Sequence, residues 1–370
     1  MNIVFVSRRD LAHPHAGGSE VVVDRLITGL QARGHGVALL CGGPTVRRPY
    51  PVVRSGGTYS QFLRAPLASY QVRSPRRWVN QNGVVHHIEP DLVVDVFNGL
   101  PFFTPLWYRG PRLCLVHNVA GDQWHQWFAE PIARLGELAE RRVMPGVYRD
   151  TDILAISSNT QRALEQLGFD EERLHLMHRG VDDDAFETPK AESDEPLFLA
   201  MGRLAPNLGF DCLLDLWDLV RPTVGGRLVI AGDGPDRERL AARAGAGVEL
   251  VGDVDDATRR RLLSEAWLLV HTAHQQGWGE VIMEAAAAGT PTIATDVPGV
   301  HDSIIDGVTG ALAGTSNDFA AAWTHLATDH ARRHVVGQHA RTRATEFTWD
   351  HTIDAFLKAA AVARDRQPGH

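Results

Sequence analysis

Short apolar runs alternate with amphipathic segments along the whole sequence, and this alternation constrains the fold more than any other feature. Five runs in the first half predict strands, near 2–7, 36–41, 92–96, 112–116 and 152–156. Two segments predict helices, at 19–33, whose apolar residues share one face, and at 158–167. Strands that alternate with helices in this way are typical of a doubly wound parallel α/β sheet.

A second series of the same kind follows a polar, proline-bracketed segment near the midpoint. Its predicted strands are 197–201, 227–231, 249–251, 268–271 and 291–295, and its predicted helices are 209–221, 235–244 and 279–288. We therefore predict two Rossmann-like domains that face each other across a cleft, because such sheets bind ligands at the carboxyl ends of their strands. The expected boundaries are 1–186 for the first domain, 187–196 for a linker, 197–346 for the second domain, and 347–370 for a helix that returns to the first.

The composition of this 370-residue chain is that of an ordinary globular protein. Hydrophobic residues make up 44% and charged residues 22%, which argues against a fibrous or disordered chain. The three cysteines are far apart and form no CxxC pair, so neither a disulfide framework nor a thiolate zinc site is indicated. No apolar run approaches the ~20 residues that a membrane-spanning helix needs. We expect a cytoplasmic protein without a bound metal or other cofactor.

One segment of the first half, residues 25–88, carries nine arginines and no acidic residue. Such a segment can attract anionic lipid, a phosphorylated acceptor or nucleic acid. It can equally be a solvated surface, since the whole chain has only two lysines and uses arginine as its ordinary cation. Of these alternatives we expect no nucleic-acid partner, and we retain peripheral contact with the inner face of an anionic membrane as a hypothesis.

Two features of the first half carry candidate chemistry. Gly17 and Gly18 lie between the first strand and the first helix, where a ligand can approach the backbone closely and where helix amides favour an anion. His117 ends a predicted strand, so its imidazole would face the ligand-binding edge of the sheet. Taken alone, the glycines are also compatible with a simple turn and the histidine with a structural role.

The second half is more informative. A strand ends in Gly202-Arg203, which would direct a guanidinium suited to phosphate oxygens towards the ligand edge. The glycine-rich loop 276–279 leads into a helix, and the amides at that helix start can hold a diphosphate. Glu284 lies one turn further on, where it can reach ribose hydroxyls or simply complement the helix dipole.

Together with these residues, an ordered series of motifs resembles the retaining glycosyltransferases of family 4, which have the GT-B fold. The resemblance covers nearly the whole chain. Its motifs are Gly17-Gly18-Ser19-Glu20, His117, Arg179-Gly180-Val181-Asp182, Gly202-Arg203-Leu204, Ala231-Gly232-Asp233-Gly234-Pro235, Gly277-Trp278-Gly279, Glu284 with Gly289-Thr290-Pro291, Asp306-Gly307-Val308-Thr309-Gly310 and Phe347-Thr348-Trp349.

The resemblance implies transfer of a sugar from a nucleotide-diphosphate donor, UDP- or GDP-linked, to the hydroxyl of a lipid, glycan or small metabolite. Residues with implied catalytic roles are His117, Arg203 and Gln276. Donor binding would involve Gly17, Gly18, Arg203, Gly277, Trp278, Gly279, Glu280 and Glu284. The acceptor side would include Glu20, Asp122, Gln123 and Trp124. The family's enzymes generally need no metal.

Two positions depart from the family pattern. The lysine expected five residues after Arg203 is Leu208, and the first glutamate of the family's pair is Gln276. A nearby cation such as Arg179 could replace the lysine, or the pocket could suit an unusual donor. Alternatively the site is degenerate and binds nucleotide sugars without efficient transfer. A GT-B epimerase or hydrolase is a further alternative.

Overall fold

The computed structural model describes most of the chain, with gaps that fall mainly in the arginine-rich segment. The described residues are 1–14, 16–46, 48–55, 68–69, 71–72, 77–79, 85–87, 89–98, 101–121, 124–125, 128–274 and 276–367, and for 77–79, 85–87 and 98 only the backbone is described. The chain divides into two compact units. The first comprises Met1–Arg179 and Trp349–His370, and the second comprises Gly180–Thr348.

The first unit is built on a parallel sheet. Its strands, numbered along the chain, are β1 (Asn2–Arg9), β2 (Gly36–Gly42), β3 (Val52–Arg54), β4 (Arg77–Val79), β5 (Val85–His87), β6 (Leu92–Asn98), β7 (Arg112–Asn118), β8 (Asp152–Ala155) and β9 (Leu174–Leu176). Seven of them form one sheet in the order β3-β2-β1-β6-β7-β8-β9, with every neighbouring pair parallel, while β4 and β5 form a separate antiparallel pair. The strand order reverses between β1 and β6, as it does in a doubly wound fold.

Helices cover both faces of this sheet. They are α1 (Gly18–Ala32), α2 (Thr104–Trp107), α3 (Glu130–Leu138), α4 (Met144–Val147) and α5 (Ser158–Gln166), with a π turn at Ala139–Val143 between α3 and α4. The predicted apolar face of α1 is confirmed, because Val22, Leu26, Ile27 and Leu30 are all buried against the core residues of β1 and β2.

The second unit repeats the design with six strands. They are β10 (Leu197–Met201), β11 (Arg227–Ala231), β12 (Val248–Gly252), β13 (Leu268–His271), β14 (Thr292–Thr295) and β15 (Gly310–Ala313). Their order is β12-β11-β10-β13-β14-β15 and all pairs are parallel, which is the strand order of a dinucleotide-binding Rossmann fold. The order reverses between β10 and β13.

The helices of the second unit are α6 (Asp184–Glu187), α7 (Phe210–Val224), α8 (Arg237–Arg243), α9 (Asp256–Glu265), α10 (Glu280–Ala287), α11 (Ser316–Thr328) and α12 (His330–Ala344). One face of the sheet carries an aromatic core in which Trp217, Trp323 and Phe198 pack together. On the opposite face α9 and α10 lie side by side, since Leu262 and Ile282 belong to one buried cluster.

The segment 187–196, which we expected to link the domains, is instead held on the second unit. Lys190 donates a hydrogen bond to Thr290 Oγ1 at 2.6 Å, and the Ala191 amide donates to Ser264 Oγ at 3.0 Å. Glu192 pairs with the buried guanidinium of Arg333 through contacts of 2.9 and 3.0 Å. The polar composition that suggested a linker serves these bonds, and the boundary lies earlier, after Arg179.

The last helix, α13 (Trp349–Arg366), belongs to the first unit. Phe356 stacks on Phe5 of β1 with ring centroids 5.6 Å apart, and Ile353 enters the same core. At the far end, Arg366 pairs with the buried carboxylate of Asp152 at 2.9 Å. The core of the first unit therefore includes residues from both ends of the sequence.

Candidate functional site

The predicted glycines of the first unit lie at the start of α1. Gly17 caps the helix, and its amide donates to Glu20 Oε2 at 2.8 Å. Glu20 is only 4% exposed, and its second oxygen accepts from Arg9 Nε at 2.8 Å. Ser19 also donates to this carboxylate. Glu20 thus fixes the glycine loop in this structure, and its contact with an acceptor stays a prediction.

His117 lies near the end of β7 with its ring buried, at 6% exposure. Within the described residues its Nε2 atom has no hydrogen-bond partner. The pKa of His117 is lowered to about 4, chiefly by burial, with the charge of Glu20 opposing the shift and that of Arg179 adding to it. The imidazole is therefore neutral near pH 7, with one buried nitrogen able to donate to or accept from a ligand.

Glu140 of the π turn fixes the loop that follows His117 through hydrogen bonds. The buried Glu140 carboxylate accepts from the amides of Ala120 and Gly121 at 2.7 and 2.8 Å, and from the indole N–H of Trp124 at 3.2 Å. Trp124, which we predicted on the acceptor side, is itself buried and supports the loop by packing. The predicted residues Asp122 and Gln123 lie outside the described residues.

In the second unit, Arg203 follows β10 at the point where the strand order reverses. Its side chain is exposed and makes no hydrogen bond or ion pair within the described part of the chain. Most other arginines of this unit are paired, for example Arg239 with Asp236 at 2.9 Å. An unpaired guanidinium at the switch point of a Rossmann sheet is available to an anionic ligand.

The turn after Arg203 is fixed to the strand on the other side of the switch point. Thr272, directly after β13, donates to the carbonyl of Gly209 at 3.0 Å. Gly209 has φ of +67°, and a Cβ there would lie 2.1 Å from the Thr272 carbonyl oxygen, so only glycine fits. Leu208, at the family's lysine position, is half-buried and packs against the aromatic core. The structure thus places an apolar contact at the position where the family resemblance implies a lysine.

The glycine-rich loop 276–279 runs into α10. Gly279 caps the helix in the left-handed region, with φ of +80°. Gly277 is exposed, and a Cβ there would meet no atom within 4 Å. The indole of Trp278 is buried against Phe347, with ring centroids 5.2 Å apart, so the side chain of this residue belongs to the core. Open space beside helix-start amides is what a phosphate site requires.

Two further residues at this loop were predicted from the sequence. Gln276 is half-buried, and its carbonyl is packed so closely on Gly299 that a Cβ at Gly299 would lie 1.6 Å away. Glu280 begins α10 and is half-buried. The structure therefore brings Arg203, the 276–279 loop and the start of α10 together at the carboxyl edge of one sheet.

Glu284 forms an ion pair with Arg259 of α9, a residue that the sequence analysis did not single out. Both side chains are partly buried, with 33% of Arg259 and 18% of Glu284 exposed. The sequence holds one weak indication of this pair. Arg259 lies near the start of the helix that follows β12, and so at the same carboxyl edge of the sheet as Glu284. Charge pairing between two residues that lie 25 positions apart, on different helices, cannot be read from either helix alone.

His271 is the second buried histidine at a strand end. It closes β13, and its Nε2 atom has no hydrogen-bond partner within the residues that the structure describes. Burial lowers its pKa to about 4. Among these same residues, no group of three or more His, Cys, Asp or Glu side chains is placed to hold a metal ion.

The arginine-rich segment is only partly described. Arg33 pairs with Asp350 at 2.7 Å and also with Asp354, and Arg48 pairs with Asp10 at 3.3 Å. Arg47, Arg64, Arg73 and Arg76 lie outside the described residues. Arg33 and Arg48 thus form ion pairs within the first unit. Within the described chain, no helix combines the length and apolarity needed to span a bilayer.

Two Rossmann-like units, the second with an exposed arginine at its switch point, define the class of GT-B proteins. The sequence model described as "Glycosyltransferase Family 4" matches residues 16–185, and the one described as "Glycosyl transferases group 1" matches residues 195–329. Together the matches span most of the chain. The chain belongs to the group 1 glycosyltransferases of family 4, and the resemblance inferred from its motifs is confirmed.

Comparison with solved structures confirms the GT-B fold. The chain is similar to HepE from Anabaena in complex with UDP and glucose, with a TM-score of 0.76 and 17% identity over 98% of this chain and 100% of that one. It is also similar to sucrose-phosphate synthase from Thermosynechococcus elongatus, with a TM-score of 0.78 and 20% identity over 98% of each chain.

A relative with a named activity is the D-inositol 3-phosphate glycosyltransferase of Xylanimonas cellulosilytica. It is 29% identical over 248 residues, which cover 58% of this chain and 58% of the relative. Two further D-inositol 3-phosphate glycosyltransferases, from Nocardia farcinica and Gordonia bronchialis, are each matched over 61% of their length. The chain thus spans about three fifths of the length of these relatives.

Proposed function

We propose that this protein is a metal-independent retaining glycosyltransferase that moves a sugar from a nucleotide-diphosphate sugar to a hydroxyl acceptor. The observation that carries the proposal is Arg203, an exposed cation without a partner among the described residues, beside the open glycine loop and the start of α10. A pyrophosphate would satisfy that charge and those amides at once.

The donor roles follow from the same edge of the sheet. Arg203 would bind the diphosphate as it leaves, and the backbone of Gly277 and Gly279 would hold sugar and phosphate oxygens. Glu284 would accept hydrogen bonds from the ribose hydroxyls, with Arg259 holding its carboxylate in place. HepE forms complexes with UDP and with UDP-glucose, which supports a UDP-linked donor for this chain.

The transfer step needs little chemistry from side chains. The bond from the anomeric carbon to the diphosphate oxygen breaks, and the acceptor oxygen bonds to that carbon on the same face. The acceptor proton passes to the departing phosphate, so the sugar keeps its anomeric configuration. Catalysis then rests on positioning and on stabilisation of the leaving diphosphate by Arg203. Neutral His117 and Gln276 would hydrogen-bond the transferred sugar.

A second candidate function is nucleotide-sugar binding without efficient transfer. Leu208 favours it, because this side chain is packed into the core and adds no positive charge near the diphosphate. Arg179, the alternative cation that the sequence offers, is buried, and its guanidinium lies 6.0 Å from the Trp349 ring centre.

The test is nucleotide-sugar turnover with a matched arginine control. A panel of UDP-, GDP-, ADP- and TDP-sugars identifies the donor by thermal stabilisation, and slow hydrolysis of that donor without an acceptor shows that the bond to the diphosphate is broken.

Arg203→Ala should lower that hydrolysis by ~10²–10³-fold. Arg239→Ala, which removes another exposed arginine of the same unit, should leave it unchanged. Stabilisation without turnover would favour the binding protein, and activity that is insensitive to Arg203→Ala would reject the proposed site. Added EDTA should have no effect.

We also propose a cytoplasmic location. The three cysteines, Cys41, Cys114 and Cys212, are all free thiols, as is usual in a reducing compartment. In the cytoplasm the protein would have access to nucleotide-sugar donors.

A further inference from the structure

Exposed apolar side chains are concentrated on one short stretch of the first unit. In the described part of the chain, thirteen large hydrophobic residues are exposed, and five of them fall within residues 128–143. We call these five the apolar ridge, and they are Phe128, Ile132, Leu135, Leu138 and Val143. The other eight are scattered over both units, as single exposed hydrophobics ordinarily are.

The ridge is produced by an inverted helix. In an ordinary surface helix the large apolar residues face the core. In α3 the inward positions are instead Ala133 and Gly136, and a Cβ at Gly136 would lie 2.5 Å from the ring of Trp124. Ile132 and Leu135 point outward, with 56% and 67% of their surface exposed. The large side chains therefore contribute nothing to the core, and their outward position needs another explanation.

The π turn continues this arrangement beyond α3. It directs Glu140 inward to the loop amides, while Val143 stays exposed. The negative charge of Glu140, which anionic lipid would repel, is thus removed from the outer surface. π turns occur often at functional positions in helices.

The charges beside the ridge favour an anionic surface. Three arginines flank it, Arg134, Arg141 and Arg142, and Arg142 has no ion-pair partner within the described chain. The two acidic residues on this side are each paired with an arginine four positions further along the chain, Glu130 with Arg134 at 2.6 Å and Glu137 with Arg141 at 3.1 Å. Long arginine side chains beside exposed apolar residues are typical of helices that lie in a membrane interface.

We propose that the apolar ridge docks the first unit on an anionic lipid surface. Phe128, Ile132, Leu135 and Leu138 would enter the headgroup boundary, and Arg142 would meet lipid phosphates. The ridge follows directly after the loop that begins at His117. This proposal rests on the proposed transferase function. If both hold, the acceptor is one that is presented at a membrane. The apolar ridge then takes the place of the arginine-rich segment 25–88 as the proposed membrane contact.

Vesicle sedimentation with the full chain tests the docking. Phosphatidylcholine vesicles with added phosphatidylglycerol should bind the protein, and phosphatidylcholine alone should bind it weakly. The double variant Ile132→Glu, Leu135→Glu should lower partitioning by at least ~10-fold, because two interfacial apolar side chains are lost. Arg142→Glu should weaken binding and reduce its dependence on salt.

Leu219→Glu is the matched control, since Leu219 is an equally exposed leucine, at 59%, on α7 of the second unit. It should bind vesicles like the wild type. Both changes are on the surface, so circular dichroism should report unchanged folding. Equal vesicle binding by the ridge variant and the wild type would overturn the proposal. The proposal would also be overturned if light scattering showed a concentration-dependent dimer of the wild type that the ridge variant does not form. The ridge would then be an interface with a second copy of the chain.

Nucleotide binding separates this proposal from the proposed function. Ridge variants that lose vesicle binding and keep stabilisation by the preferred nucleotide sugar support docking. A wild-type chain that binds vesicles through the ridge and binds no nucleotide sugar would leave the docking in place and reject the transferase.

Discussion

Arg259 and Glu284 form an ion pair between α9 and α10, two helices that begin at the same edge of the second sheet. The pair is partly exposed, so by itself it contributes at most ~1 kcal/mol to stability. Its importance lies in orientation, because it fixes the carboxylate that we propose for the ribose.

The first prediction concerns this pair. Glu284→Gln should weaken binding of the preferred nucleoside diphosphate by ~10–100-fold, since charge-assisted hydrogen bonds to both ribose hydroxyls are lost. Arg259→Ala should weaken it by about fivefold and reduce discrimination against the 2′-deoxy analogue. Isothermal titration calorimetry measures both effects. The control is Arg261→Ala, which removes a neighbouring arginine that pairs only within α9. An unchanged ribose preference in Arg259→Ala would contradict the orienting role.

A second prediction contrasts two glycines of the same loop. Gly279→Ala forces a side chain into the left-handed region and brings its Cβ to 2.8 Å from Ile282 Cδ1, so stability should fall by ~1–2 kcal/mol. Gly277→Ala meets no protein atom, so stability should change by less than ~0.5 kcal/mol. Its methyl group would nevertheless obstruct the ligand and weaken nucleotide-sugar binding by ~10-fold. Thermal unfolding and calorimetry separate the two effects, and full affinity in Gly277→Ala would place the diphosphate elsewhere.

The third prediction restores the missing cation. Leu208→Lys keeps an aliphatic stem against the core and carries an ammonium to the surface, so stability should fall by no more than ~1.5 kcal/mol. UDP binding should tighten by ~10-fold through a charge-assisted hydrogen bond. Leu208→Met conserves volume without charge and is the control. Comparable affinities in the two variants would show that the side chain at 208 does not reach the diphosphate.

The two buried histidines give a prediction on pH. The folded-state pKa values of His117 and His271 are about 4, whereas an unfolded histidine titrates near 6.5. Unfolding therefore takes up protons as the pH falls from 6.5 to 4, and stability is lost over that window. Each histidine should account for up to ~3 kcal/mol. Urea unfolding at pH 7.5 and 5 measures this loss, which His117→Leu and His271→Leu should each reduce. Identical pH profiles in variants and wild type would refute the neutral buried state.

The fifth prediction concerns the support of the loop after His117. Glu140→Ala leaves the amides of Ala120 and Gly121 and the Trp124 indole without their acceptor. Stability should fall by ~2–4 kcal/mol, because buried donors would be unpaired. Glu137→Ala, which removes a more exposed carboxylate from the same region, should cost less than ~1 kcal/mol in the same denaturation assay.

The sequence predicted those parts of the fold that depend on local pattern. The apolar face of α1, the strand that ends at Arg203 and the glycine loop before Glu284 all follow from spacing along one element. Relationships between distant elements were not predictable in the same way. The partner of Glu284 lies on another helix, and the polar segment around Glu192 gave no sign of its bond to Arg333. The outward turn of Leu135 depends on Trp124 filling the inner side of α3, which no periodicity reveals.

The path of α13 has a consequence for biosynthesis. The second unit is one continuous stretch, Gly180–Thr348, and can acquire its native contacts while the chain is still being made. The first unit cannot, because the core around Ile3 and Phe5 also needs Ile353 and Phe356, which are translated only after the whole second unit. Of the two units, the one whose synthesis begins first is thus completed second. Until then its sheet exposes apolar surface, and this interval is where the nascent chain has the greatest need of a chaperone.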